Sequence, residues 1–308
     1  MTTAVTISAT DATPHLATTE VIFQRLLVAI DFSAQARQVL KTAAAIATCF
    51  NAELFLVHAA TPVVDGVGAD TVPCNAYAAN LDAAYARMAD LVASEPALQS
   101  IRHREIVKYA APVELVEQAI RVHDADLVIA GSHGARGLER LALGSVAEAI
   151  LRHVKCPVLI VGPHATGFIS PFRSVLLASK LGLSELRAAQ YASGLAEKFH
   201  GKLTALHVIE NAKEVDRVEP ELIEERVEQE LMRLLPSDLQ LYSAGEVKAA
   251  YGRPAETITF IARENCASLI VCGVRENAAL GDHTLGSTLA GVIRQAHCPV
   301  LCVRHHFA

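Results

Sequence analysis

No apolar run in this chain approaches the ~20 residues needed to span a bilayer, although 52% of its 308 residues are hydrophobic. The stretches are short, such as "RLLVAI", "LFLVH" and "DLVIAG", so no membrane-spanning helix is expected. A basic excess is missing too: 27 Lys and Arg stand against 33 Asp and Glu, a formal charge of −6. That balance offers no electrostatic reason for a nucleic-acid partner or an anionic membrane surface. The opening "MTTAVTISATDATPHLATTE" has no basic start and no solid apolar core, so residues 1–21 read as a flexible leader rather than a signal peptide. The seven cysteines lack paired short spacing and sit mostly in apolar strands. They fit buried reduced thiols in the cytoplasm better than a disulfide framework or a zinc site. No glycine-lysine-serine or glycine-lysine-threonine tripeptide occurs, which excludes a P-loop. No Ser-His-Asp order or paired-carboxylate spacing stands out, and no catalytic residue is assigned.

The chain does repeat itself. "RLLVAIDFSAQARQVLKTAAAIATCFNAELFLVHAA" lies over "SVLLASKLGLSELRAAQYASGLAEKFHGKLTALHVI" without a gap, placing His58 on His207 and Leu54 on Leu203. Further along, Tyr109 falls on Tyr251, Pro112 on Pro254, Gly131 on Gly273 and Gly144 on Gly286. Each half alternates strands with helices. In the first, "RLLVAI", "AELFLVHA", "HREIVKY", "DLVIAG" and "CPVLIV" are five strands. Helices follow from Ser33 (as a cap), over 76–94, from Pro112 and over 145–154. In "EPELIEERVEQELMRLL" the spacing of Ile223, Val227 and Leu231 predicts an amphipathic helix with a solvated acidic face. The expected fold is α/β: two tandem doubly wound domains, each a mostly parallel five-stranded sheet with helices on both faces. Their expected bounds are 22–164 and 170–308.

In such sheets ligands bind beyond the strand C-termini, where strand order reverses. Those positions are Asp31, Ala59 and the loop "GSHGARGLERLALGS" from Gly131 to Ser145. Gly131 and Gly134 allow close backbone approach. After nine residues, Gly144 and Ser145 open a helix whose free N–H groups form a phosphate seat. His133, Arg136 and Arg140 stand nearby as phosphate contacts, and Asp31 could bond ribose hydroxyls or help hold a metal ion. A dinucleotide loop would instead follow the first strand. His58 and His207, recurring at matching positions, read as structural residues.

G-x-x-G, nine residues and then G-[S/T] is the pattern of nucleotide-binding members of the universal stress protein family, and "GSHGARGLERLALGSVAE" resembles it at every fixed position. "AIDFS" and "LVHA" resemble the family's first and second strand ends. The resemblance covers nearly all of 22–305. It implies that Ala29, Ile30, Asp31, Ala59, Ala130 and Gly131 surround adenosine, and that Gly134, Gly144, Ser145 and Val146 hold phosphates. It implies ATP, with Mg, as the ligand. Ala110 departs from the family's usual glycine, which Gly252 keeps.

The second half departs at the site: Lys180 stands where Asp31 was, and Glu276 where Gly134 was. No ATP site is expected there, and Lys180 and Glu276 are expected to pair across the emptied mouth. The last strands, "CPVLIV" and "CPVLCV", are apolar edges, and the resemblance implies that the two domains pair through them within one chain. The sequence leaves open a homodimer of whole chains and names no protein partner. The expected function is that of a cytoplasmic stress-response protein in which bound ATP is a conformational or interaction signal. A slow ATPase, a phosphotransferase, or a carrier of AMP or flavin remains the alternative.

Overall fold

A computed structural model describes residues 20–60, 74–133, 143–166, 171–210, 220–236, 246–274 and 286–304. Among these, ten strands form one sheet. In the first half they are β1 (Arg25–Ala29), β2 (Glu53–Ala60), β3 (His103–Tyr109), β4 (Leu127–Gly131) and β5 (Val158–Val161). In the second they are β6 (Ser174–Ala178), β7 (Lys202–Ile209), β8 (Glu246–Tyr251), β9 (Leu269–Val274) and β10 (Val300–Arg304). The spatial order is β3-β2-β1-β4-β5-β10-β9-β6-β7-β8. All pairings are parallel except the central one, where β10 runs antiparallel to β5 with Leu301 opposite Leu159.

Eight α-helices are described: α1 (Ala36–Phe50), α2 (Cys74–Ala93), α3 (Pro112–His123), α4 (Ser145–His153), α5 (Leu186–Lys198), α6 (Pro220–Leu234), α7 (Pro254–Glu264) and α8 (Ser287–Gln295). Helix α3 starts at its proline, whose missing N–H costs nothing in a first turn. Glu114 lies in that first turn and Arg121 and His123 in the last, each suited to the helix dipole. Helix α1 corrects the expectation for Ser33. The helix begins later, at Ala36, with Gln35 as its N-cap and no side-chain cap. Ser33 contributes only its carbonyl, which accepts from the Ala36 N–H at 3.0 Å.

Alternate strand residues feed two cores. Leu26 and Val28 join a layer under α1 and α5, while Leu27 joins the layer on the opposite face. Both layers run through both halves of the chain. Such double burial explains why the strands read as unbroken apolar runs.

The seam holds more than strand pairing. Phe23 and Phe50 of the first half meet Phe172, Phe199 and Tyr191 of the second, with Phe50 and Phe199 centroids 5.3 Å apart. The Arg304 guanidinium, at the end of β10, donates to the Leu151 and Arg152 carbonyls at the C-terminus of α4. At the matching place in the first half stands Gly162. A Cβ there would lie 2.3 Å from the Ile293 carbonyl oxygen of α8.

The glycine of the β8–α7 turn also has a reason. Gly252 has φ of +143°, a conformation that L side chains rarely adopt. Ala110, its counterpart, keeps a negative φ, so the first half makes this turn without glycine.

Candidate functional site

The strand order reverses between β1 and β4, and the first-half site is built there. Ala29 sits opposite Val57 on one side and Ala130 on the other. Ala59 lies two residues beyond Val57 on β2. Ala29, Ala59 and Ala130 belong to the core layer shared with α3 and α4, so their small side chains give this end of the sheet a shallow floor. Buried Ile30 continues β1 by donating its N–H to the Val57 carbonyl at 2.9 Å. Exposed Asp31 then accepts the Ser33 N–H on Oδ1 at 3.0 Å, across Phe32, whose φ is 55°. The carboxylate therefore shapes the turn that carries the chain into α1.

The glycine loop is tied at its neck. Ser132 donates its N–H to the Val161 carbonyl, and Gly144 donates its own to the Ser132 carbonyl at 2.8 Å. That second bond holds the start of α4 against the C-terminal end of β4. Gly144 is the N-cap, with φ of −61° and no side chain to offer. The first-turn N–H groups at Ser145, Val146 and Ala147 receive no side-chain cap. Such groups and the positive end of the helix dipole suit an anion. Ser145 and Val146 are both exposed. His133 Nδ1 lies 2.8 Å from Ser132 Oγ. Its Nε2 is buried and has no hydrogen-bond partner among the described residues.

Ten of the twelve expected site residues thus gather at one end of the sheet: Ala29, Ile30, Asp31, Ala59, Ala130, Gly131, His133, Gly144, Ser145 and Val146. Gly134 and Arg136 lie outside the described residues, as do Arg140 and Glu276.

Two glycines at the site are held by their surroundings in different ways. Gly144 does not use positive φ. Gly131 is small because of a protein neighbour: an added Cβ would come 2.9 Å from Gln35 Oε1 and 3.3 Å from Val39 Cγ2. Gln35 is a site-building residue that sequence reasoning missed. Its Nε2 donates to the Val161 carbonyl at 3.0 Å, and its Oε1 lies 3.4 Å from the His133 N–H. It buttresses β4 and β5 from beneath the loop.

His58 and His207 place Nδ1 2.8 Å from the Ile30 and Ser179 carbonyls, in the same way in each half. Since a carbonyl only accepts, Nδ1 carries the proton in both. His58 also packs on Phe32, with centroids 4.2 Å apart. Burial depresses the His58 pKa below 6.5; the Ile30 bond and Asp31 oppose this, and Arg87 adds to it. His297 is depressed by burial as well. An imidazole depressed on folding takes up protons more readily when unfolded, so stability falls as pH drops through and below 6.5. Thermal melts between pH 7.5 and 5.5 are expected to show that fall. His58→Gln, whose amide keeps a donor for Ile30, should flatten part of it.

Burial pushes the Cys156, Cys272 and Cys298 thiols up to about 12. Thiols held so far from ionisation are packing groups rather than nucleophiles. Among the described residues, no cluster of His, Cys, Asp and Glu could hold a metal ion. No described helix is long and apolar enough to cross a membrane.

Two parallel doubly wound α/β units are joined at their last strands, and the first carries a helix N-terminus over a small-residue floor. The sequence profile of the universal stress protein family matches residues 22–162 and again 171–304, and the chain belongs to that family. Universal stress protein A homolog 1 of Coxiella burnetii is 34% identical over 145 residues, covering 45% of this chain and 96% of that protein. A universal stress protein of Methanocaldococcus jannaschii is 44% identical over 59 residues, 19% of this chain and 34% of that relative's length. The crystal structure of a universal stress protein from Archaeoglobus fulgidus superposes with a TM-score of 0.69 at 24% identity. It covers 92% of this chain and 98% of that one, and shows the shared fold.

Proposed function

We propose that the first domain binds one ATP per chain and that the bound nucleotide is a conformational or interaction signal in a cytoplasmic stress response. One observation carries this reading: the 2.8 Å bond from Gly144 to Ser132 holds the uncapped start of α4 over the Ala29–Ala130 floor. The buried His133 Nε2, without a partner among the described residues, suits the same reading, because a phosphate oxygen or ribose hydroxyl would satisfy it. Adenosine would lie on the alanine floor, and the phosphates at the first turn of α4. A magnesium ion there would take most of its ligands from phosphate and water, with Asp31 and Ser145 as the protein's contribution, and would neutralise phosphate charge. The second domain, with Lys180 in place of Asp31 and Glu276 in place of Gly134, takes no ATP and serves as scaffold or partner surface. Pairing of β5 with β10 already joins the two domains in one chain.

The purified full-length chain is expected to release adenine nucleotide on denaturation, identified by mass spectrometry. Calorimetric titration of the stripped chain with MgATP should give one site. Two sites, or none, would sink the proposal. Labelled ATP incubated with the same sample separates a binder from a slow hydrolase.

A further inference from the structure

A cavity of about 420 Å³ lies at the C-terminal ends of β6, β7 and β9, beneath α7 and α8. Its volume falls within the roughly 300–1,000 Å³ range of small-molecule pockets. Most of the wall is apolar, including Ala178, Leu206, Val208, Ile258, Leu289 and Val292. The expected pair between Lys180 and Glu276 concerns a residue outside those described.

The charge at the inner end of this cavity is unlike that of the first domain. Glu185 lines the cavity and is only 1% exposed. It closes the short 3₁₀ turn Leu183–Glu185 that leads into α5. An added Cβ on Gly273 would sit 2.4 Å from its Oε2, so the carboxylate rests on the β9 backbone. In the first domain the same place over Gly131 is held by the neutral amide of Gln35. A carboxylate has therefore replaced an amide at the base of the pocket. Burial first, then Glu185, raise the Cys272 thiol, with Lys180 acting against them. Lys180 and Glu210 lie at the rim and are exposed. They are opposite in sign and screened by water.

We propose that this cavity binds a largely apolar small molecule whose head group presents N–H donors or a positive charge, and that Glu185 selects the sign of that head. A carboxylate offers about four acceptor positions, so it can take a ligand N–H while keeping bonds to the protein. The same group disfavours carboxylates, phosphates and sulfates. Specificity would then differ between two related pockets through one buried residue. The inference is independent of the nucleotide reading of the first domain.

Tryptamine and indole-3-propionate share an apolar body and differ in head charge, and both are to be titrated into the full-length chain by calorimetry. Tryptamine is expected to bind at least about ten-fold tighter, because charge-assisted hydrogen bonds are roughly twice as strong as neutral ones. Glu185→Gln should erase or invert that preference. The fold should tolerate it, since Gln35 already occupies the equivalent place, and a thermal melt checks this. Thr288→Trp, at a half-buried cavity position in the first turn of α8, should block tryptamine while leaving Glu185 intact. Equal binding of the two probes would overturn the proposal. So would a preference that survives Glu185→Gln, tryptamine binding that survives Thr288→Trp, or no binding of either probe at millimolar concentration.

Discussion

Gly162→Ala is expected to lower the stability of the whole chain by about 3 kcal/mol, the upper range for forcing an extra group into a packed interior. The added Cβ would stand 2.3 Å from the Ile293 carbonyl oxygen. That atom belongs to helix backbone, which has no side-chain rotation with which to give way. Moving apart by the required ångström or more would strain the β5–β10 pairing, where Val158, Leu159 and Ile160 meet Cys302, Leu301 and Val300. Urea unfolding monitored by circular dichroism measures the loss, and a broadened or split transition would show the halves unfolding separately. Gly286→Ala is the control. None of the described residues lies within 4 Å of its added Cβ, and replacing an N-cap glycine should cost only about 0.5–1 kcal/mol. Equal losses in the two variants would refute the steric account of the seam.

The second large effect concerns ligand rather than fold. Gly134→Glu, which copies Glu276 of the second half, is expected to reduce MgATP binding below detection by calorimetry. A carboxylate beside bound phosphates adds like charge near a low-dielectric surface. At roughly 5 Å and an effective dielectric of about 20, that is some 3 kcal/mol for each phosphate charge. The thermal melt of the unliganded variant should match wild type. Retained affinity would sink both the phosphate assignment and the proposal that Glu276 keeps ATP out of the second domain.

Much of the fold was legible because the chain is written twice. Two copies of the strand and helix pattern, with variable stretches between, fixed the alternation of elements. Pro112 and Pro254 marked where α3 and α7 begin. Local chemistry failed where two local rules competed. Ser33 is a good capping residue, but Asp31 captures its N–H and Phe32 turns left-handed. The helix starts two residues later than a Ser33 cap would place it, with Gln35 at the N-cap.

The floor of the candidate site was legible as small residues at strand ends, and its neck as Gly-Ser at a helix start. Its underside was not. Gln35 and Gly131 are far apart in the chain and meet only in the folded sheet. Their counterparts are harder still to see, because the gap-free overlay sets Glu185 opposite Ala36 rather than Gln35. A shift of one residue in the turn before α5 conceals the shared role. The same turn exchanges its own acceptor. Leu181 repeats the left-handed conformation of Phe32, but here Ser179 Oγ accepts the Leu181 N–H at 3.0 Å, one position earlier than the Asp31–Ser33 bond of the first half.

In a dimer of identical one-domain chains, each substitution appears on both sides of the seam at once. Covalent linkage removes that constraint. Here Arg304 reaches across to the Leu151 carbonyl while Gly162 lies bare against Ile293, so a two-fold arrangement carries unlike residues at matching places. The halves are held at one-to-one stoichiometry, and β5 and β10 occupy each other's edges, leaving no berth at the centre of the sheet for a stray copy of either half. Drift on one side need not be tolerated on the other. Residues at one mouth can therefore change, as Lys180 stands where Asp31 does, without the same change at the other.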